Sequence, residues 1–188
     1  ISVIVFVKHQ DEKAFARLLN VGKTSLVEEF RELIHHLSKS HTNCLDDVRF
    51  EIDPEALTKL LIKVNELSNL EGFTEAYRYA VQKNLGMRGG DNVSNHNEAH
   101  LIQALLGDVK NKTIYDGAAG LANTTSLVSA KQLLLKDINR NTAQTASRLL
   151  TMDYLAFTYS VVNSLQQPSV IEKSCDLVVM TPPLSMRL

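Results

Sequence analysis

The alternation of predicted strands and helices between residues 113 and 181 restricts the fold more than any other feature of the sequence. Four short apolar segments predict strands: "KTIYD", "QLLLKDI", "FTYSVV" and "DLVVM". Helical patterns are predicted after the first two of them, over "LANTTSLVSA" and "NTAQTASRLLTMDYL". Because successive strands joined by helices pair through right-handed crossovers, this order predicts an α/β fold with a parallel sheet.

The first 90 residues are predicted to be helical. Apolar residues recur at helical spacing in "SLVEEFRELIHHLSK", and "IDPEALTKLLIKVNEL" carries an Asp53 cap with Pro54 at the first helical position. The segment "GMRGGDN" contains three glycines within five residues and is the strongest break in the chain. We therefore predict a helical domain over residues 1–90 and an α/β domain over residues 91–188.

Composition excludes several classes of protein. The chain is 44% hydrophobic and 22% charged, as expected of a globular protein, and its net charge is −1. Because phosphate contacts dominate nucleic-acid affinity, we expect DNA to be bound only through a complex. Cys44 and Cys175 have no paired spacing, which favours a reducing, cytoplasmic location. No apolar run reaches about 18 residues, so no membrane span is predicted.

Two short motifs indicate chemistry that their surroundings do not support. "VGKTS" at 21–25 resembles the end of a phosphate-binding loop, but Arg17 stands where that loop requires glycine. "HNEAH" at 96–100 places two histidines one helical turn apart, but Asn97 stands where the zinc-hydrolase motif has glutamate. A loop at a helix start and an exposed polar helix face are the simpler interpretations, and no metal site is predicted.

Small residues follow the first predicted strand. The segment "YDGAAGLAN" places Asp116, Gly117 and Gly120 between this strand and a predicted helix. Glycines let a ligand approach the backbone closely, and a helix N-terminus offers free N–H groups. A tight turn between strand and helix explains the same residues equally well.

Polar residues or prolines also end two other predicted strands. Asp137 ends the second strand, where its carboxylate can accept hydrogen bonds from both hydroxyls of a ribose or can cap the next helix. The fourth strand ends in Thr181, Pro182 and Pro183. Because the carboxyl ends of parallel strands bind ligands in open sheets, we predict one site formed by all of these residues.

In their order and spacing these segments resemble the modification (M) subunits of type I restriction systems, which are S-adenosylmethionine-dependent DNA methyltransferases acting on adenine N6. "IYDGAAGLAN" is similar to Asp-Pro-Ala-Cys-Gly-(Ser/Thr)-Gly-Gly, and "KDINRNT" to Glu-Ile-Asn-Pro-X-Thr. "VVNSL" is similar to Gly-Asp-Thr-Leu, and "CDLVVMTPPL" to Phe-Asp-X-Val-X-X-Asn-Pro-Pro-Phe. "GGDNVSNHNEAH" lies where the family has Gly-Gly-X-Phe-X-Thr-Pro, and the resemblance extends over nearly the whole chain.

The resemblance implies a fold, a cofactor and a set of site residues. It implies a helical domain followed by a partial Rossmann-like methyltransferase domain, without the strands that follow the double proline. It implies methyl transfer from S-adenosylmethionine to an adenine flipped out of DNA. The residues implied in cofactor binding are Ser94, Asp116, Gly117, Ala118, Gly120, Asp137 and Asn163, and those implied in catalysis are Thr181, Pro182, Pro183 and Leu184. The implied partners are DNA within a complex, specificity and restriction subunits, and a second copy of the chain.

The sequence departs from the family pattern at the implied site. Thr181 replaces an asparagine that accepts hydrogen bonds from the adenine amine, and Leu184 replaces an aromatic residue that stacks on the base. Leu121 and Ala122 replace a Ser/Thr-Gly pair, and Asn163 replaces an aspartate. An alternative expectation is therefore a catalytically degenerate protein that keeps the methyltransferase fold and acts as a binding or assembly subunit.

Overall fold

The computed structural model describes residues 1–41, 43–46, 48, 51–86, 96–166 and 174–181. The chain divides into two compact units, Ile1–Phe73 and Thr74–Leu188. The division predicted from the sequence, at residue 90, falls within residues 87–95, which lie outside the described part.

The first unit is helical, as predicted. Its helices are α1 (Ser2–Gln10), α2 (Glu12–Leu18), α3 (Lys23–Ser38) and α4 (Pro54–Asn65). The predicted start of α4 is confirmed, because Pro54 occupies its first turn and the Asp53 carboxylate accepts a hydrogen bond from the Ala56 N–H at 3.0 Å. The carboxylate accepts a hydrogen bond from one of the N–H groups that a helix start leaves unpaired, and proline has no N–H that needs a partner.

A buried lysine stabilises the end of α4. Lys8, on α1, is only 6% exposed. Its Nζ donates to the carbonyls of Val64 at 3.0 Å, Asn65 at 3.3 Å and Leu67 at 2.7 Å. Val64 and Asn65 lie in the last turn of α4 and Leu67 follows it. A cation at this helix end also complements the helix dipole. Lys8 therefore has a structural role within the first unit.

The second unit is an α/β structure. Its elements are α5 (Phe73–Gly86), α6 (His96–Leu106), β1 (Thr113–Asp116), β2 (Gln132–Asp137), α7 (Arg140–Met152), β3 (Phe157–Val161) and β4 (Leu177–Val178). The four strands form one parallel sheet in the order β3-β2-β1-β4. This confirms the predicted α/β class with a parallel sheet and is consistent with a Rossmann-like fold, whose order begins 3-2-1-4.

The core of this unit lies between the sheet and α7. Leu133 and Leu135 of β2 pack with Ala146 and Leu150 of α7, and all four side chains are almost fully buried. The alternating apolar residues of β2 and the helical spacing of α7 explain why both elements were predictable. None of the helices formed by the described residues is both long and apolar enough to cross a membrane.

One predicted helix does not form. Residues 121–130, all of which the structure describes, adopt turns between β1 and β2. Ala122 takes a left-handed conformation, with φ of 58°, that interrupts a helix at its start. Asn123, Thr124 and Thr125 follow, and short polar or β-branched residues of this kind favour turns and caps over helix interiors. The prediction of a helix over "LANTTSLVSA" was therefore wrong.

Candidate functional site

The strand order reverses between β1 and β4. The chain passes from β1 to β2 and β3 on one side, then returns to place β4 on the other side of β1. Tyr115 of β1 is paired with Val178 of β4, so Asp116, the last residue of β1, and Thr181, which follows β4, both lie at the carboxyl edge. Open parallel sheets bind ligands at such a reversal. We call this the carboxyl edge and define its site by residues 116–120, 137 and 181.

Asp116 is a buried carboxyl group at the end of β1. It is 1% exposed, and its Oδ1 accepts a hydrogen bond from the Ala118 N–H at 3.0 Å. The pKa of Asp116 is raised to about 7, mainly by burial and also by the negative charge of Asp137, while the hydrogen bond from the Ala118 N–H lowers it. The group therefore changes its charge near neutral pH.

Asp137 ends β2 and binds main-chain groups on both sides. Its Oδ2 accepts a hydrogen bond from the Gly120 N–H at 2.9 Å, and its Oδ1 accepts one from the Asn139 N–H at 2.8 Å. The N-terminus of α7 is capped by Asn139, whose side chain accepts from the Thr142 N–H at 3.2 Å. Asp137 is therefore not the residue that caps α7. Its hydrogen bond with Gly120 links the end of β2 to residues 117–120.

The glycine segment, residues 117–120, uses its N–H groups within the protein. The Ala118 N–H donates to Asp116, the Ala119 N–H to the Lys136 carbonyl at 2.9 Å, and the Gly120 N–H to Asp137. No helix follows in the fully described residues 121–130. The expectation that a helix N-terminus presents free N–H groups here was therefore wrong.

Two hydroxyl groups hold the carbonyls of the same segment. Tyr159 of β3 donates its hydroxyl to the Gly120 carbonyl at 2.7 Å, and Ser164, in the turn after β3, donates to the Gly117 carbonyl at 2.7 Å. Burial, followed by the charges of Asp137 and Asp116, raises the pKa of Tyr159 well above its ordinary value, so the phenol stays protonated. Neither contact is predictable from the sequence, because only the fold brings β3 and the turn after it to the glycine segment.

Two residues after β1 have an unusual backbone conformation. Gly120 and Ala122 have φ of 53° and 58°, in the left-handed region that glycine prefers. The Ala122 side chain belongs to the buried core and does not line the carboxyl edge. A Cβ at Gly117 would lie 2.9 Å from the Tyr115 hydroxyl oxygen, so the proline of the family does not fit beside Tyr115 in this arrangement.

The remaining predicted site residues have different surroundings. Asn163 caps its own turn, with its Oδ1 accepting from the N–H groups of Leu165 at 3.0 Å and Gln166 at 3.3 Å. Thr181 is half-buried and is the last described residue. The predictions for Ser94, Pro182, Pro183 and Leu184 fall outside the described residues.

Exposed apolar side chains surround the polar residues of the carboxyl edge. Ile138, directly after β2, is 61% exposed, Val161 at the end of β3 is 36% exposed, and Met180 after β4 is 38% exposed. Val161 is paired in register with Asp137. A large apolar residue directly after Asp137 in the sequence was the signal that could have identified Ile138. The edge therefore presents the half-buried Asp137 carboxylate beside apolar surface, which suits a ligand with a polar and an aromatic part.

Comparison with known proteins adds no assignment. No protein-family model matches the chain, and no curated protein matches its sequence. Within the described residues, no group of three or more histidine, cysteine, aspartate or glutamate side chains is arranged to hold a metal ion. The functional interpretation therefore depends on the geometry of the carboxyl edge and on the motifs at its strand ends.

Proposed function

We propose that the chain is a divergent modification subunit similar to those of type I restriction systems, with an S-adenosylmethionine site at the carboxyl edge. One observation supports this proposal above all others. The parallel order β3-β2-β1-β4 places Asp116, Asp137 and Thr181 at one edge, with the order reversing between β1 and β4. These are the strand ends at which the family motifs occur in the sequence.

Asp137 has the capacity to hold a ribose. An ionised carboxylate offers about four acceptor positions, and two of them receive the N–H groups of Gly120 and Asn139. The remaining positions suit two ribose hydroxyls, and the side chain is half-exposed. Ile138 beside it supplies apolar surface for an aromatic ring. Under this proposal Asn163 lies beside the adenine edge of the cofactor and Ser94 contributes to the same site.

Asp116 suits the methionine end of the same ligand. Its buried carboxyl group lies at the start of the glycine segment, where Gly117, Ala118 and Gly120 keep side-chain bulk small. An ammonium group beside Asp116 would favour the ionised carboxylate, because an opposite charge lowers the pKa of an acid. Ligand binding and proton release at Asp116 would therefore be coupled.

Thr181 would orient the target base. S-adenosylmethionine supplies an activated methyl group when bound. The Thr181 hydroxyl oxygen can accept one hydrogen bond from an adenine amine. Leu184 lacks the aromatic face that stacks on a flipped base, and such stacking contributes about 1–3 kcal/mol. We therefore expect slow methyl transfer by this chain.

DNA binding would require partners. The net charge of −1 provides no general attraction for phosphates. Under the proposal, a specificity subunit supplies the DNA contacts and the sequence preference, a restriction subunit completes the assembly, and a second copy of the chain is a further partner.

A second candidate is a protein of the same fold that binds or assembles without catalysis. The hydrogen bonds of the glycine segment favour this candidate. The N–H groups of residues 118–120 and both carboxylate oxygens of Asp137 are already engaged within the protein. A cofactor that needs the Gly120 N–H would have to replace a charge-assisted hydrogen bond of about 1.5–3 kcal/mol, which lowers affinity by roughly 10- to 150-fold.

Calorimetric titration of S-adenosylmethionine into the full chain separates these candidates. Enzyme sites often have micromolar affinity for their ligands. Replacing the hydrogen bond between Gly120 and Asp137 weakens such a site, so we expect a dissociation constant on the order of 100 µM. Asp137→Ala should abolish the binding heat, because it removes the acceptor for the ribose. Asp108→Ala is the matched control, since exposed Asp108 also accepts a main-chain N–H, from Lys110 at 3.1 Å.

Each outcome of the titration has a definite meaning. A micromolar constant for the unmodified chain would argue against the non-catalytic candidate. Absence of binding at millimolar concentration would remove the cofactor from the proposal. Equal binding by the Asp137→Ala variant and the unmodified chain would remove the assignment of the ribose to Asp137.

A further inference from the structure

We infer that Tyr159 and Ser164 are positioning residues that fix the glycine segment against Asp137. This inference deepens the proposed function and rests on it for its link to the cofactor. Tyr159 lies outside the quoted motifs and Ser164 lies within "VVNSL", and each donates a hydrogen bond of 2.7 Å to a carbonyl of residues 117–120.

Gly120 is held from both sides. Its N–H donates to Asp137 at the end of β2, and its carbonyl accepts from Tyr159 on β3. Asp137 and Tyr159 come from paired strands, since Leu135 is opposite Tyr159 and Asp137 is opposite Val161. Hydrogen bonds from β2 and β3 therefore restrain both peptide groups of Gly120. This residue has a φ of 53° and lies outside any helix or strand.

Tyr159 is suited to this role by its burial. Its ring is 3% exposed and belongs to the core that also contains Leu133 and Leu135. The ring position is thus set by packing, and the hydroxyl extends from it to the Gly120 carbonyl. A carbonyl only accepts hydrogen bonds, so the protonated phenol is the form that this contact requires.

Ser164 holds the opposite end of the segment. Its hydroxyl donates to the Gly117 carbonyl, while the turn that carries it is closed by Asn163 accepting from Leu165 and Gln166. If a cofactor displaces the Gly120 N–H from Asp137, the two carbonyl contacts still restrain the segment. Restraint of this kind lowers the entropy cost of ordering a binding loop.

The variants Tyr159→Phe and Ser164→Ala remove these hydroxyls and preserve the surrounding packing. Ser160→Ala is the control, because Ser160 lies on the same strand but donates no hydrogen bond to the glycine segment among the described residues. The full chain carries each substitution. Amide hydrogen exchange by NMR reports the order of residues 117–120 without cofactor, and calorimetry reports the affinity for S-adenosylmethionine.

Tyr159→Phe should accelerate exchange at Ala119 and Gly120 by roughly tenfold, as expected for the loss of one hydrogen bond, and should weaken cofactor binding by a similar factor. Exchange in β1 and β2 should stay unchanged. Ser164→Ala should act mainly on Ala118. Unchanged exchange at Gly120, or equal acceleration throughout the sheet, would overturn the positioning role.

The two measurements keep this inference separate from the proposed function. If the unmodified chain binds no cofactor, the proposed function fails, and the exchange rates still decide whether Tyr159 orders the segment. If the unmodified chain binds and Tyr159→Phe binds equally well, the cofactor proposal stands and the positioning role is lost.

Discussion

Replacing Asp116 by asparagine should make the protein more stable than the unmodified chain by an amount that grows from near zero at about pH 4 to about 4 kcal/mol at about pH 8.5. Burial is the main reason, because it raises the pKa of this carboxyl from 3.8 to about 7. A difference of that size corresponds to roughly 4 kcal/mol at about 1.4 kcal/mol per pH unit. The asparagine side chain carries no charge and does not incur this cost.

The direction of the effect follows from proton binding. Between about pH 4 and pH 7 the folded protein keeps a proton on Asp116 that the unfolded chain has lost. The stability of the unmodified chain therefore falls through this window as the pH rises, and the whole cost is present above about pH 7. The variant lacks this dependence.

Urea unfolding at both ends of this pH range measures the effect. Asp108→Asn is the control, because Asp108 is exposed and its replacement should leave the pH dependence unchanged. Parallel pH dependence of Asp116→Asn and the unmodified chain would show that Asp116 is not a buried, raised-pKa group.

Replacing Asp153 by alanine should destabilise the second unit by about 3–5 kcal/mol, because it leaves a buried cation without its partner. Arg78 is 11% exposed at its side chain, and its Nη1 donates to Asp153 Oδ2 at 3.0 Å. Among the described residues, its Nε and Nη2 atoms are buried and make no hydrogen bond. Thr74 donates to the other oxygen of Asp153 at 2.6 Å and loses its acceptor as well.

A double substitution tests this cause. Arg78→Met with Asp153→Leu replaces the pair by apolar groups, and exchanges of this kind are often neutral or stabilising. We expect the double variant to be much more stable than Asp153→Ala in urea unfolding. If Asp153→Ala lowers the free energy of unfolding by less than about 1 kcal/mol, as expected for an exposed ion pair, Arg78 does not form a buried ion pair.

The elements that the sequence predicted are those with strong local signals. The capped start of α4 follows from Asp53 and Pro54, and the apolar alternation of β2 follows from its residues alone. The turns over residues 121–130 were not predicted, because the apolar spacing of "LANTTSLVSA" also suits a helix. Ala122, whose left-handed conformation interrupts the helix, is buried in the folded core, and neither property can be identified from the sequence spacing.

The contacts of the candidate site depend on strand register, which short motifs do not contain. The register between β1 and β2 pairs Asp116 with Leu135. It thereby allows Asp137, two residues further along β2, to reach the Gly120 N–H. Tyr159 reaches Gly120 only because β3 pairs with β2 in the observed register. Motif order could therefore suggest the residues of the edge, but it could not show that they already bind one another.

NMR titration of S-adenosylmethionine into the isotope-labelled full chain shows whether the cofactor binds at the carboxyl edge. We expect saturable shifts of the Gly120 and Asn139 amides, because both donate to the carboxylate proposed to hold the ribose. Amides of α3 in the first unit serve as internal reference and should not move. Saturable shifts confined to the first unit, or no shifts at millimolar ligand, would contradict a cofactor site at the carboxyl edge.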